Sequence, residues 1–411
     1  MNDEIQKLED KYIDLLLKRC INFDKSKILF INYNTINQDF IDKIVIKAKN
    51  MGIEEIYLDG DDSYERRDKL SHISIEDIET DPYFDKSIWN EYALKNASFL
   101  MLTTELPHFY DNIDSLKLAK ANYINRKTRN IFREKELSYV IPWCIAALSN
   151  EIWASDLFPN DKDANFKLFN YICKMCMVDQ DDPIKSWENY LIDVQKKVDY
   201  LNQLKIRKLH YKNGLGTDLT VEMPDDYSWC SASEHLKDNM LVNMPSYEIF
   251  ASPNLMKTEG IVYSSKPLYY GGGIVDKFYI KFKNGKVCDF GALEGYNILK
   301  SIIESDEYSS YLGEVALVDY DSLISNTKLV FKNTLFDENA ACHLALGGGF
   351  KKCINDLTDD SYDGLLKVGI NPSKNHVDFM IGTSDLDIEA ETNQGKKLLF
   401  KKGNFNIKDI K

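Results

Sequence analysis

Four stretches of this 411-residue chain set carboxylates or imidazoles among apolar residues. In NPSKNHVDFMIG (371–382), His376 and Asp378 alternate with Val377, Phe379 and Ile381. On a strand, that alternation sends the two polar side chains to one face and the three apolar ones to the other. The pair then reads either as a chelating couple or as the solvated face of an edge strand. In FDENAACHLALGGGF (336–350), Glu338 precedes a small, apolar segment that contains His343. This is a lone core histidine, or one for which Glu338 is a second ligand or the partner that orients the ring. Glu248 in NMPSYEIFASP follows a proline turn, and Glu314 in YLGEVALVDY follows a glycine. Each opens an expected strand, and each alone would read as a surface carboxylate.

Together these residues form a mixed carboxylate and imidazole set of the kind that suits a pair of divalent ions. Two ions sharing a bridging carboxylate can activate a water and polarise a carbonyl, which is metal-dependent hydrolysis. Anionic ligands offset the charge of two dications, so such a site needs few histidines. The chain has six.

Two kinds of scaffold surround these stretches. In the first part, KILFINYN (27–34), EEIYLDG (54–60) and ASFLMLTTEL (97–106) read as buried strands. FIDKIVIKAKNMG (40–52) reads as an amphipathic helix that stops at glycine. Strands separated by helices predict a parallel sheet with crossovers. The first strand is followed by NYNTINQD, without the GxGxxG fingerprint, which argues against a dinucleotide site. Further on, Ile184, Trp187, Leu191, Val194, Val198 and Leu201 trace one stripe of a long helix after Asp-Asp-Pro. From about residue 205 turns become frequent and strands short, with hairpins expected at 206–223, around Asn284-Gly285, and in KKLLFKKGNFNI. The expected fold is an α/β N-terminal domain with a parallel sheet (1–205), followed by an α+β, β-rich metal-binding domain (206–411).

A formal charge of −14 argues against binding the phosphate backbone of nucleic acid. The basic segment NYINRKTRNIFREKEL (122–137) has the spacing of a solvated helix face. No apolar run has the length of a membrane span. The charged start, MNDEIQKLEDKY, lacks the apolar core of a signal peptide, so a cytoplasmic protein is expected. Eight cysteines are scattered, and several sit in apolar runs, as buried thiols do; the apolar neighbours of Cys173 and Cys176 suggest a helix interior rather than a redox or zinc motif.

From GTDL (216–219) onward the chain resembles the thermophilic metallo-aminopeptidase family M29. The resemblance is carried by that motif, NMPSYEIFASP (243–253), EGIVYSSKP (259–267), LGEVALV (312–318), LFDENAACHLALG (335–347) and HVDFMIG (376–382). WASDLFP (153–159) is similar to the family's middle region. The resemblance implies removal of N-terminal residues from peptides, two divalent ions (zinc, cobalt or similar) and a homodimer. It implies Glu248, Glu314, His343, His376 and Asp378 as metal ligands, with Glu338 as a ligand or near neighbour. Glu314 is implied as the bridge, and as the group that handles the water's proton. It also implies a tyrosine seven residues beyond His343, where this chain has Phe350. A tyrosine hydroxyl there could donate to an oxyanion, and Phe350 cannot. Tyr362 is a nearby hydroxyl that could substitute. The alternative is a catalytically weak peptide- or metal-binding homologue on the same scaffold, or a hydrolase of another amide.

Overall fold

The computed structural model describes residues 2–22, 24, 26–233, 240–270 and 273–406. The chain divides into two compact units, Met1–Glu188 with His235–Ser246, and Asn189–Glu234 with Tyr247–Lys411.

In the first unit the apolar segments form one parallel sheet. Its order is Glu55–Asp61, Ile28–Asn34, Ser98–Thr103, Trp143–Ala147 and Asn243–Met244. Strand Ser98–Thr103 is buried along nearly its whole length, as a strand covered on both faces must be. The helix expected after the first strand is Gln38–Asn50, with Ile41, Ile44 and Ala48 inward. The basic segment forms two helices, Ser115–Thr128 and Asn130–Leu137. Arg126, Lys127 and Arg133 on them are exposed, while Arg129 at the junction lies over the Trp89 ring, 4.5 Å from its centroid. Cys173 lies inside helix Ala164–Met175 and Cys176 caps it; both are buried, and burial pushes both thiols up. That suits core thiols rather than reactive ones.

Helix Pro183–Leu204 carries the apolar stripe, with Trp187, Leu191, Val194, Val198 and Leu201 all buried. The second unit is β-rich. A nine-stranded sheet contains the hairpin Lys208–Lys212 with Asp218–Glu222, and Gly273–Lys283 with Lys286–Glu294 around Asn284-Gly285. The hairpin near the end pairs Gly395–Lys401 with Asn404–Phe405. A separate five-stranded antiparallel sheet runs in the order His376–Met380, His343–Gly347, Leu312–Leu317, Ile249–Ala251 and Cys230–Ser231. This is the α/β plus β-rich α+β arrangement expected from the sequence. Among the described residues, no helix is long and apolar enough to cross a membrane.

Candidate metal centre

The five-stranded sheet gathers the acids and histidines because its register puts them in adjacent rows. Glu314 pairs with Ala345, and Ala345 pairs with Asp378. His343 pairs with Ala316, and His376 with Gly347. Paired residues share a face of the sheet, as do residues two apart on one strand. Glu314, His343, His376 and Asp378 therefore project from one face, with only alanine and glycine between them. Val315, Leu344, Leu346, Val377 and Phe379 project from the other face into the core. Glu248 immediately precedes strand Ile249–Ala251, the neighbour of Leu312–Leu317 on its other side.

Two groups of three result. Glu248, Glu314 and His343 offer donor atoms within 4.8 Å of one another, and so do Glu314, His376 and Asp378. Glu314, almost wholly buried, belongs to both. His343 Nε2 lies 3.1 Å from Glu248 Oε2. His376 Nε2 lies 3.1 Å from Glu314 Oε2 and 3.3 Å from Asp378 Oδ1. The other nitrogen of His376, Nδ1, is 2.7 Å from the Gly348 carbonyl oxygen. That oxygen can only accept, so Nδ1 carries a proton; without an ion Nε2 carries one too and donates to Glu314, and a bound ion would take that second proton's place.

The electrostatics are those of crowded buried carboxylates. Burial pushes the Glu314 carboxyl up to about 7, against the hydrogen bond from His376. Burial opposes a proton on His343, but Glu248 and Glu314 outweigh it and raise the imidazole to about 10. Burial likewise opposes ionisation of Asp378, yet adjacent His376 holds it down to about 2. Asp378 Oδ1 is buried without a hydrogen bond, since the 3.3 Å approach of His376 lacks hydrogen-bond geometry. An orphaned carboxylate oxygen beside oxygen and imidazole donors suits a divalent cation, which replaces the missing partner.

Residues 5–405 match the family described as Thermophilic metalloprotease (M29). The chain belongs to this family. It is 34% identical over 410 residues to aminopeptidase AmpS of Bacillus subtilis, covering 98% of this chain and 100% of that one. It is 33% identical over 401 residues to aminopeptidase 2 of Geobacillus stearothermophilus, covering 96% and 97%. The solved structure of wild-type AmpT from Thermus thermophilus aligns over 98% of this chain and 99% of its own, with 27% identity and a TM-score of 0.86.

Other sequence-derived candidates in this M29 chain fall around the two groups. Glu338 ends helix Thr334–Glu338, half-buried, and joins neither group. Burial and the charges of Asp378 and Glu248 push its carboxyl well up, so it faces the same cluster. The segment 337–339 is a helix end in which Asp337 and Asn339 are buried. Asp337 accepts from the Phe331 and Asn333 amides at 2.9 and 3.2 Å. Asn339 accepts from the Tyr247 amide at 2.6 Å, which fixes the backbone just before Glu248. Both have structural roles that their polarity alone did not announce.

Phe350 stands beside His376, with its ring centroid 5.0 Å from that of the imidazole and 4.8 Å from that of Phe250. Its amide donates to Ser252 Oγ at 2.7 Å. Tyr362 is exposed, with its hydroxyl 3.4 Å from Glu307 Oε2, and makes none of these contacts. The glycines before Phe350 are required by close backbone approach. Gly347 has φ +101°, and a Cβ on it would meet the Asn375 carbonyl. A Cβ on Gly313, just before Glu314, would strike the carbonyls of Gly347 and Gly348.

Proposed function

We propose that this chain is an aminopeptidase that removes N-terminal residues from peptides at a centre for two divalent ions. Glu248, Glu314 and His343 would hold one ion, and Glu314, His376 and Asp378 the other. The observation that carries this reading is the membership of buried Glu314 in both groups, which is the position of a bridging carboxylate. Bound there, two dications supply an activated water and a polarised carbonyl. Glu314, between the two groups, would serve either as the bridge between the ions or as the base that takes the water's proton. His376 is held with Nε2 toward Glu314 by its bond to the Gly348 carbonyl. Glu338, outside both groups, is a near neighbour of the centre, and its carboxyl is available to the substrate's free amino end. Zinc or cobalt as the ion and a homodimer as the working form follow from the family resemblance, and a cytoplasmic location from the charged first residues.

The test is amino-acid release from a panel of short peptides by protein loaded in turn with zinc, cobalt and manganese. Metal-dependent turnover that disappears in Glu314→Gln supports the reading. Phe350 favours one second reading, a peptide- or metal-binding homologue with little turnover, because it removes a hydroxyl from beside His376. No turnover with any metal, in protein shown to hold two ions, would favour that reading.

A further inference from the structure

His376 is the first residue of the strand at the edge of the five-stranded sheet, so it has a pairing neighbour on one side only. Its aim depends on what fixes the loop before it. Asp306, in the segment that leads into the Glu314 strand, grips that loop. Its Oδ2 accepts from Ser373 Oγ at 2.6 Å and from the Lys374 amide at 3.2 Å. Its Oδ1 accepts from the Tyr308 and Ser309 amides at 3.0 and 2.8 Å. Four donors on two oxygens is a load that a carboxylate carries and an amide does not.

The contacts continue to the imidazole. Ser373 Oγ accepts from the Asn375 amide at 3.0 Å. The Asn375 carbonyl accepts from the Gly348 amide at 2.6 Å, and the Gly348 carbonyl accepts from His376 Nδ1 at 2.7 Å. Buried Asn371 braces the same loop, donating to the Tyr308 carbonyl at 3.0 Å and accepting from the Ser373 amide at 2.9 Å. A relay therefore runs from Asp306 through Ser373, Asn375 and Gly348 to the nitrogen that sets the tautomer of His376.

We propose that Asp306 is a positioning residue which, through Ser373, sets how tightly the Glu314–His376–Asp378 group holds its ion. This rests on the two-ion reading above. Partners that orient a ligating histidine are worth on the order of 10–100-fold in metal affinity. Ser373→Ala removes one link with little change in bulk, and Asp306→Asn turns an amide N–H₂ toward donors.

The experiment is calorimetric zinc titration of the full-length protein against a competing chelator, for wild type, Asp306→Asn, Ser373→Ala, the double variant, and His376→Ala to identify which ion is affected. The expected result is one ion bound about 10–100-fold more weakly in each single variant, the same ion that His376→Ala loses, with the other ion unchanged. The double variant should be no weaker than Asp306→Asn, because both changes cut one relay. Unchanged affinities, or an equal fall for both ions alongside a lower unfolding temperature of the metal-free protein, would overturn the inference. If wild type binds a single ion, the two-ion reading fails by itself, and the inference then stands or falls on whether Asp306→Asn weakens that ion.

Discussion

Glu314 is the residue on which both halves of the centre depend. Glu314→Gln keeps its volume but removes the charge that both groups share, so both ions should bind more weakly and kcat should fall by on the order of 10²–10⁴. Phe350→Tyr tests the opposite direction. It adds a hydroxyl beside His376 and should raise kcat by on the order of 10²–10³ if oxyanion stabilisation is what the chain lacks; an unchanged kcat would show that the ring alone matters there. Protons enter the same balance. In the metal-free protein, the stabilisation of protonated His343 by Glu248 is complete below the ordinary imidazole pKa and is lost as pH rises through about 10. An ion must displace that proton, so zinc binding near pH 7 should release protons and tighten as pH rises. Calorimetry in buffers of different ionisation enthalpy measures both effects. Five of these side chains were legible as candidates because each acid or histidine interrupts an apolar run. Asp306, Asn339 and Asn371 were not, because a polar residue in a polar loop looks the same whether it braces a site or merely faces water.

Among the elements, the two strands that carry His343 and His376 were read with unequal success. HVDFMI alternates and was legible as a strand, whereas the small, apolar segment around His343 shows no such alternation; it forms strand His343–Gly347. Trp143–Ala147 was hidden for the same reason. Cys230–Ser231 and Asn243–Met244 are too short to show any period. Helix Pro183–Leu204 was legible because its stripe persists over several turns. The strand Leu312–Leu317 depends on close approach to its neighbour, with a register shift between Leu312 and Glu314. Gly313→Ala would push a methyl group into two backbone carbonyls. It should cost about 1–3 kcal/mol in urea unfolding and lower the zinc content of the purified protein, since Glu314 and the Gly348 carbonyl would shift together.

Across the whole molecule, the first compact unit holds one sheet and the second two, and both groups of candidate ligands lie within the second. Multidomain chains need not unfold in one transition. Calorimetry should show two, and chelation should lower only the one that belongs to the second unit, which holds the five-stranded antiparallel sheet. Saturation at about a thousandfold excess over Kd would restore roughly 4 kcal/mol to it. A single transition, or equal shifts of two, would show that the units unfold together. At this scale the sequence showed an α/β part followed by a β-rich part, whereas the compact units divide within helix Pro183–Leu204 and the first also takes in His235–Ser246. Pairing order within the sheets depends on partners distant in the chain, which no local pattern encodes.

The order in which the ligand strands leave the ribosome is also the order in which the centre can be built. Glu248, Glu314 and His343 emerge first, on or beside strands that are already neighbours in the sheet. His376 and Asp378 come last, on the strand that closes its edge. A chain halted before that strand could assemble the first group and not the second. On the two-ion reading, a full complement of metal would mark that translation has passed the strand of His376 and Asp378, and a prematurely terminated product would keep only the first group.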